Sequence, residues 1–130
     1  MISDSFALFT PEGKGIYANV DDAGVVTFAI EAGQGSSVRG TEMFNRMMQH
    51  FGAAVRAIHG IWIRSATGRP STNIDKVNEL TAGGMKLDEA VTRAWTVTRA
   101  RKLGFLNVRV LGIPEGTAGA YSRIDVMIER

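Results

Sequence analysis

The residues best suited to chemistry lie first in residues 33–41 (GQGSSVRGT), where glycines, two serines and Arg39 precede a helical pattern. Backbone N–H groups and the helix dipole at such a start attract anions, and an arginine can grip a phosphate through two parallel bonds. Ser37 and Thr41 would add hydroxyl groups to the same place. The spacing is not that of a P-loop, since no Gly-Lys-Ser/Thr follows. Read for structure alone, the same residues form an ordinary strand-to-helix connection.

His59 is the second candidate. It is one of two histidines, the other being His50, and Arg56 and Arg64 flank it in sequence. A strand imidazole beside an anionic substrate can serve as general base or acid, although a structural histidine fits the position equally well. Ile58, Ile61, Trp62 and Ile63 make both faces of its strand apolar, so alternation does not decide where it points. No carboxylate or third histidine stands at ligand spacing, and a metal on His50 and His59 is not expected.

The third candidates lie in residues 69–78 (RPSTNIDKVN) and around Trp95. Ser71 or Thr72 caps a helix, with Asp75 in the position of a capping box. Asn73 adds a further polar group at that helix start, and Asn78 reads as a solvated helical position. Trp95 continues the Val91 stripe into the core. Thr96 and Arg99, at i, i+3 spacing, share a neighbouring face that can line a cleft.

These groups need elements to hold them. Residues 15–31 alternate with period two on both sides of Asp21-Asp22-Ala23-Gly24, which predicts a hairpin. Met43, Phe44, Met47, Met48, Phe51 and Val55 recur at helical spacing, which predicts a helix over 41–57 with Thr41 as N-cap and the apolar stripe in the core. Residues 58–64 form a strand that Gly60 weakens. A short helix follows, carrying Ile74, Val77 and Leu80 and ending at Gly83-Gly84. A longer helix covers 87–102, with Asp88 and Glu89 at its start and Arg99, Arg101 and Lys102 at its end. Strands at 107–111 and 121–128 flank a loop at 112–120. The order ββαβααββ predicts a single α+β domain over residues 1–130: a mainly antiparallel sheet with helices on one face.

Arg39 and Arg64 are the pair expected to meet. A helix of 17 residues spans about 25 Å, and the strand after it returns by about 20 Å at Arg64. His59 would stay nearer the helix C-terminus and join only if the chain curls.

Composition narrows the classes. Apolar residues are 45% and charged residues 22% of 130, ordinary for a globular domain. The absence of cysteine excludes disulfides, thiolate zinc sites and cysteine nucleophiles. It fits work in a reducing compartment, or passage between compartments. No apolar run reaches the length of a membrane span, and the first residues carry no secretory leader pattern. A formal charge of +2 mildly favours an anionic partner.

Residues 38–130, with RGTEMFNRMMQHFG, IHGIWIR, STNIDKVNELTAGGMKLDEAVTRAW and IPEGTAGAYSRIDVMIER as their segments, resemble the C-terminal toxin modules of bacterial polymorphic toxins of the contact-dependent-inhibition and Rhs types. The resemblance implies a small domain delivered as part of a larger protein into the cytoplasm of a neighbouring bacterium. It also implies a cognate immunity protein as partner. The expected activity is a metal-independent nuclease acting on RNA without a cofactor. His59 would be its acid or base, Arg39, Arg64 and Arg99 its phosphate contacts, and Thr41 or Thr96 its orienting groups. NAD hydrolysis or ADP-ribosyl transfer through the Gly-Ser-Arg loop, with Glu42 or Glu115 at the ribose, is the enzymatic alternative. A non-enzymatic protein-binding module is the other.

Overall fold

A computed structural model describes residues 4–31, 36–64 and 72–130. Gly33, Gly35, Arg69 and Ser71, which figure in the sequence reading, lie outside the described residues. The chain is α+β, with six mainly antiparallel strands and four helices among the described residues. It divides into two compact units, Met1–Ile58 and His59–Arg130.

The first unit contains β1 (Asp4–Phe9), β2 (Gly15–Val20), β3 (Val25–Glu31) and helix α1 (Gly40–Phe51). The hairpin pairs Gly15 with Glu31 and Val20 with Val26. Asp21 closes its turn by accepting the N–H groups of Ala23 and Val25 on its own carboxylate. Strand β1 was not expected from the sequence. It pairs antiparallel with β2 along its whole length, and its side chains are mostly exposed, so it carries little of the apolar alternation that marks an inner strand.

Helix α1 packs Met43, Phe44, Met47, Met48 and Phe51 into the core with Ile16, Ala18, Val20 and Val26. Phe44 meets Phe28 edge-on at 5.6 Å between centroids. The helix is shorter than the sequence predicts, because Gly52 adopts φ 56° and its N–H closes the last turn on Met48 O. Residues 52–54 continue as a single 3-10 turn. Nor is Thr41 the N-cap: Arg39 holds that position in extended conformation, without a side-chain cap, and Thr41 is already helical. The N–H groups of Arg56 and Ala57 both reach Gly24 O. Residues 56 and 57 are thereby held beside the turn that precedes β3.

The second unit orders its strands β4-β6-β5. Strand β4 (Ala57–Ile63) has its first two residues in the first unit; β5 is Asn107–Glu115 and β6 is Arg123–Glu129. Arg64 N–H donates to Ser122 O, so the end of β4 lies at the start of β6 and the two run in opposite directions. Ile124, Val126 and Ile128 of β6 are fully buried with Phe105 and Val97. Gly60 does not weaken β4; it makes room. A Cβ there would stand 2.6 Å from Trp62 Nε1 and 3.0 Å from Val126 Cγ2, so the indole lies over the glycine on the buried face.

Strand β5 extends four residues into the segment expected as loop. Gly112, at φ 64°, lets it bulge between Leu111 and Glu115 and recover pairing with Arg123. Strand β6 correspondingly begins at Arg123 rather than at residue 121.

Helix α2 covers Thr72–Ala82, so Thr72 is already helical rather than a cap, and the other cap candidate, Ser71, lies outside the described residues. The long helix expected over 87–102 is instead two: α3 (Leu87–Val91) and α4 (Trp95–Arg101). Ala94 is extended, with ψ 153°, and breaks the run. A partner on α2 stabilises the break. The Asn73 side-chain oxygen accepts Thr96 N–H at 2.9 Å, and its amide nitrogen donates to Thr96 Oγ1 at 2.8 Å. A capping group usually comes from the residue before the helix; here Ala94 has no side-chain oxygen and a different helix supplies it. The break also separates Trp95 from the Val91 stripe, and Trp95 is partly exposed rather than core.

Candidate functional site

Three constellations gather polar groups. The first lies on β4 and β6, where alternation settles what the sequence left open. Ile58, Gly60 and Trp62 point inward, while His59, Ile61 and Ile63 face the other way, Ile61 and Ile63 being exposed. On β6, Ile124, Val126 and Ile128 point inward, which leaves Arg123, Asp125 and Met127 on the face of His59.

His59 Nε2 stands 3.4 Å from Asp125 Oδ2, an ion-pair distance without an aligned hydrogen bond. Arg123 grips the same carboxylate with a fork, Nε to Oδ1 at 2.9 Å and Nη2 to Oδ2 at 3.2 Å. The Arg123 bond holds the Asp125 carboxyl below its ordinary range against the opposing effect of burial, and His59 adds to the lowering. Asp125 is thus ionised at neutral pH and can only accept. Further along β6, Arg109 Nε of β5 bonds Glu129 Oε1 at 2.9 Å. Asp125 and Arg123 were missed by the sequence reading. Alternation of Ile124, Val126 and Ile128 already placed them together on one face; their position beside His59 needed the strand order.

The second constellation belongs to the first unit. Ser37, Arg39 and Thr41, expected together, line an open groove of about 690 Å³ with Glu42, Asn45, Arg46 and Gln49 along the exposed side of α1. Ser37 already holds an anion from its own chain. Its N–H donates to Glu12 Oε1 at 2.6 Å, and its hydroxyl lies 3.3 Å from Oε2. Glu12, in the β1–β2 turn, has its carboxyl held low chiefly by its own backbone N–H, against the opposing effect of burial, with the Ser37 hydroxyl and amide adding to the lowering. The attraction of this segment for a carboxylate is therefore realised within the fold.

The third constellation is α2 with α4. Asn73 and Thr96 do meet, but in the cap described above, and Thr96 is buried rather than lining a cleft. Arg99 stacks its guanidinium 5.7 Å from the Trp95 ring, and its Nε is buried without a hydrogen-bond partner. Trp95 lines a shallow groove of about 390 Å³ with Thr72, Asp75, Lys76, Glu79, Arg93 and Thr98. Asn78 is not solvated but buried: its amide bonds both backbone groups of Tyr121. Thr81 accepts Gly119 N–H beside it.

The expected site residues are thus distributed. Ser37, Arg39 and Thr41 belong to the first unit; His59, Arg64, Asn73, Thr96 and Arg99 belong to the second. Arg64 is exposed just past the end of β4. Among the described residues, no three His, Asp or Glu side chains are placed to hold a metal ion, and no helix is long and apolar enough to cross a membrane. Protein-family models, curated proteins and solved structures offer no match to this chain.

Proposed function

We propose that this chain is a nucleic-acid-cleaving toxin domain that cuts RNA without a metal, with His59 as its proton-transfer group. The observation that carries the reading is the contact of His59 with an ionised Asp125 on an accessible sheet face. A carboxylate behind an imidazole stabilises the charge that forms when the ring takes a proton. In the cleavage, His59 removes the proton from a ribose 2′-hydroxyl. The 2′-oxygen bonds to the neighbouring phosphorus, the bond to the 5′-oxygen breaks, and that oxygen leaves as an alcohol with the proton returned by His59. Arg64, exposed just past the end of the same strand and about 16 Å along it from His59, would reach a neighbouring phosphate rather than the one that is cleaved. Arg99 remains a candidate for a flanking phosphate. Delivery into a neighbouring bacterium and neutralisation by an immunity protein go with this reading through the resemblance of residues 38–130.

The test is incubation of the pure protein with RNA in the presence of a chelator, with His59→Ala and Asp125→Asn beside it. The expected result is fragments ending in cyclic phosphate, a loss of at least about 100-fold in rate for His59→Ala, and a smaller loss for Asp125→Asn. Intact RNA in every arm sinks the reading.

A second reading rests on the groove of α1. Arg39 and Thr41 with Glu42 beside them offer donors for a pyrophosphate and an acid for a ribose, while Ser37 is engaged by Glu12. NAD breakdown by the wild type, abolished in Glu42→Gln and retained in His59→Ala, would favour it over the nuclease.

A further inference from the structure

We infer that Arg123 is a positioning residue that, through Asp125, fixes which nitrogen of the His59 ring carries the proton. The inference rests on the proposal that His59 transfers protons, but its readout does not depend on catalysis.

Three observations carry it. His59 Nε2 is shielded from solvent and has no aligned hydrogen bond, and the carboxylate oxygen facing it is Asp125 Oδ2 at 3.4 Å. Asp125 is ionised and offers only lone pairs. A bare Nε2 would set lone pair against lone pair at that distance, so the neutral ring keeps its hydrogen on Nε2 and leaves Nδ1 free to accept. Lastly, Asp125 is not free to turn. Arg123 engages both of its oxygens from the adjacent position on the same face of β6, at 2.9 and 3.2 Å, and a planar fork fixes a carboxylate in orientation as a lysine cannot. The chain of positions thus runs Arg123, Asp125, His59 Nε2; on the nuclease reading Nδ1 is then the nitrogen that takes the proton.

The other charges of this face do not replace Arg123. Arg109 of β5 is bonded to Glu129. Leu111, opposite Asp125 in the β5–β6 register, brings no charge. Glu115 pairs in register with Arg123 itself and repels rather than holds the carboxylate.

The test is the nitrogen chemical shifts of the His59 ring in labelled protein, at a pH where the ring is neutral. The wild type is expected to show Nε2 protonated as the dominant form. Arg123→Gln is expected to shift the ring toward the mixture of a free histidine, by several-fold in tautomer ratio. Arg123→Lys, which keeps the charge and loses the fork, should recover part of the bias. Asp125→Asn should remove it. Arg123 is exposed enough that these variants fold, and the amide spectrum checks this. A wild-type ring protonated on Nδ1 overturns the inference without any variant. So does a ratio that moves in Asp125→Asn but not in Arg123→Gln. Cleavage assays separate the two ideas: an Nε2-protonated ring in a protein that leaves RNA intact sinks only the nuclease reading.

Discussion

Asn78 holds the backbone of Tyr121 by both ends of its amide: Nδ2 donates to Tyr121 O at 3.0 Å, and Oδ1 accepts Tyr121 N–H at 2.7 Å. The side chain is 8% exposed, so it stands in for a strand neighbour just before β6 begins. Replacing it with alanine removes two bonds and leaves two backbone groups short of partners, a loss of about 2–4 kcal/mol. Denaturant unfolding of Asn78→Ala measures this. A change below about 0.5 kcal/mol, within the scatter of surface substitutions, would show that water replaces the clamp.

Asn73→Ala should cost about 1–2 kcal/mol, the usual worth of a helix cap, because Thr96 N–H at the start of α4 then loses its acceptor. Asn73→Asp should restore most of it, since a carboxylate accepts from both the Thr96 N–H and hydroxyl. Thermal melts of the two variants decide. Equal losses in both would mean that the role of Asn73 is not the cap.

Gly60→Ala should destabilise by about 1–3 kcal/mol, the range for overpacking a core, since the new methyl collides with the Trp62 indole and Val126. Trp62→Phe, which shortens the ring, should relieve part of the loss in the double variant. Denaturant melts in a double-mutant cycle read the coupling, and strict additivity would place the collision elsewhere.

Asp125 gives a pH dependence whose sign follows from its lowered pKa. A carboxylate held below its ordinary value of about 3.9 binds its proton more readily in the unfolded chain. The stability it contributes is therefore complete above that value and is lost as pH falls through the lower, folded one. Unfolding free energies at pH 6 and pH 3 should differ less in Asp125→Asn than in the wild type. An unchanged difference would show that the Arg123 bond is not maintained in solution.

Much of the architecture was legible in the residues. Period-two alternation around Asp21-Asp22-Ala23-Gly24 is a local property of the chain, and the hairpin follows from it. The stripe from Met43 to Phe51 is buried as its spacing requires, and Ile124, Val126 and Ile128 likewise. Burial of an apolar face is dictated by short-range periodicity, so sequence alone determined these inward faces and the α+β class. Ser37, Arg39 and Thr41 also came together as expected, because they are neighbours in the chain.

What tertiary structure decided depends on partners distant in sequence. An unbroken helix over 87–102 fits the apolar spacing even with the weak helix formers Trp95, Thr96 and Thr98; Asn73, 23 residues before Thr96, supports the break instead. Asn78 looks solvated until Tyr121, 43 residues away, offers both of its backbone groups. Strand β1 has little apolar alternation of its own and exists through its pairing with β2. The contact of His59 with Asp125 depends on β4 and β6 being neighbours, although β5 lies between them in the chain. Polar side chains satisfy whichever donors and acceptors folding brings within reach, and no periodicity encodes which those are.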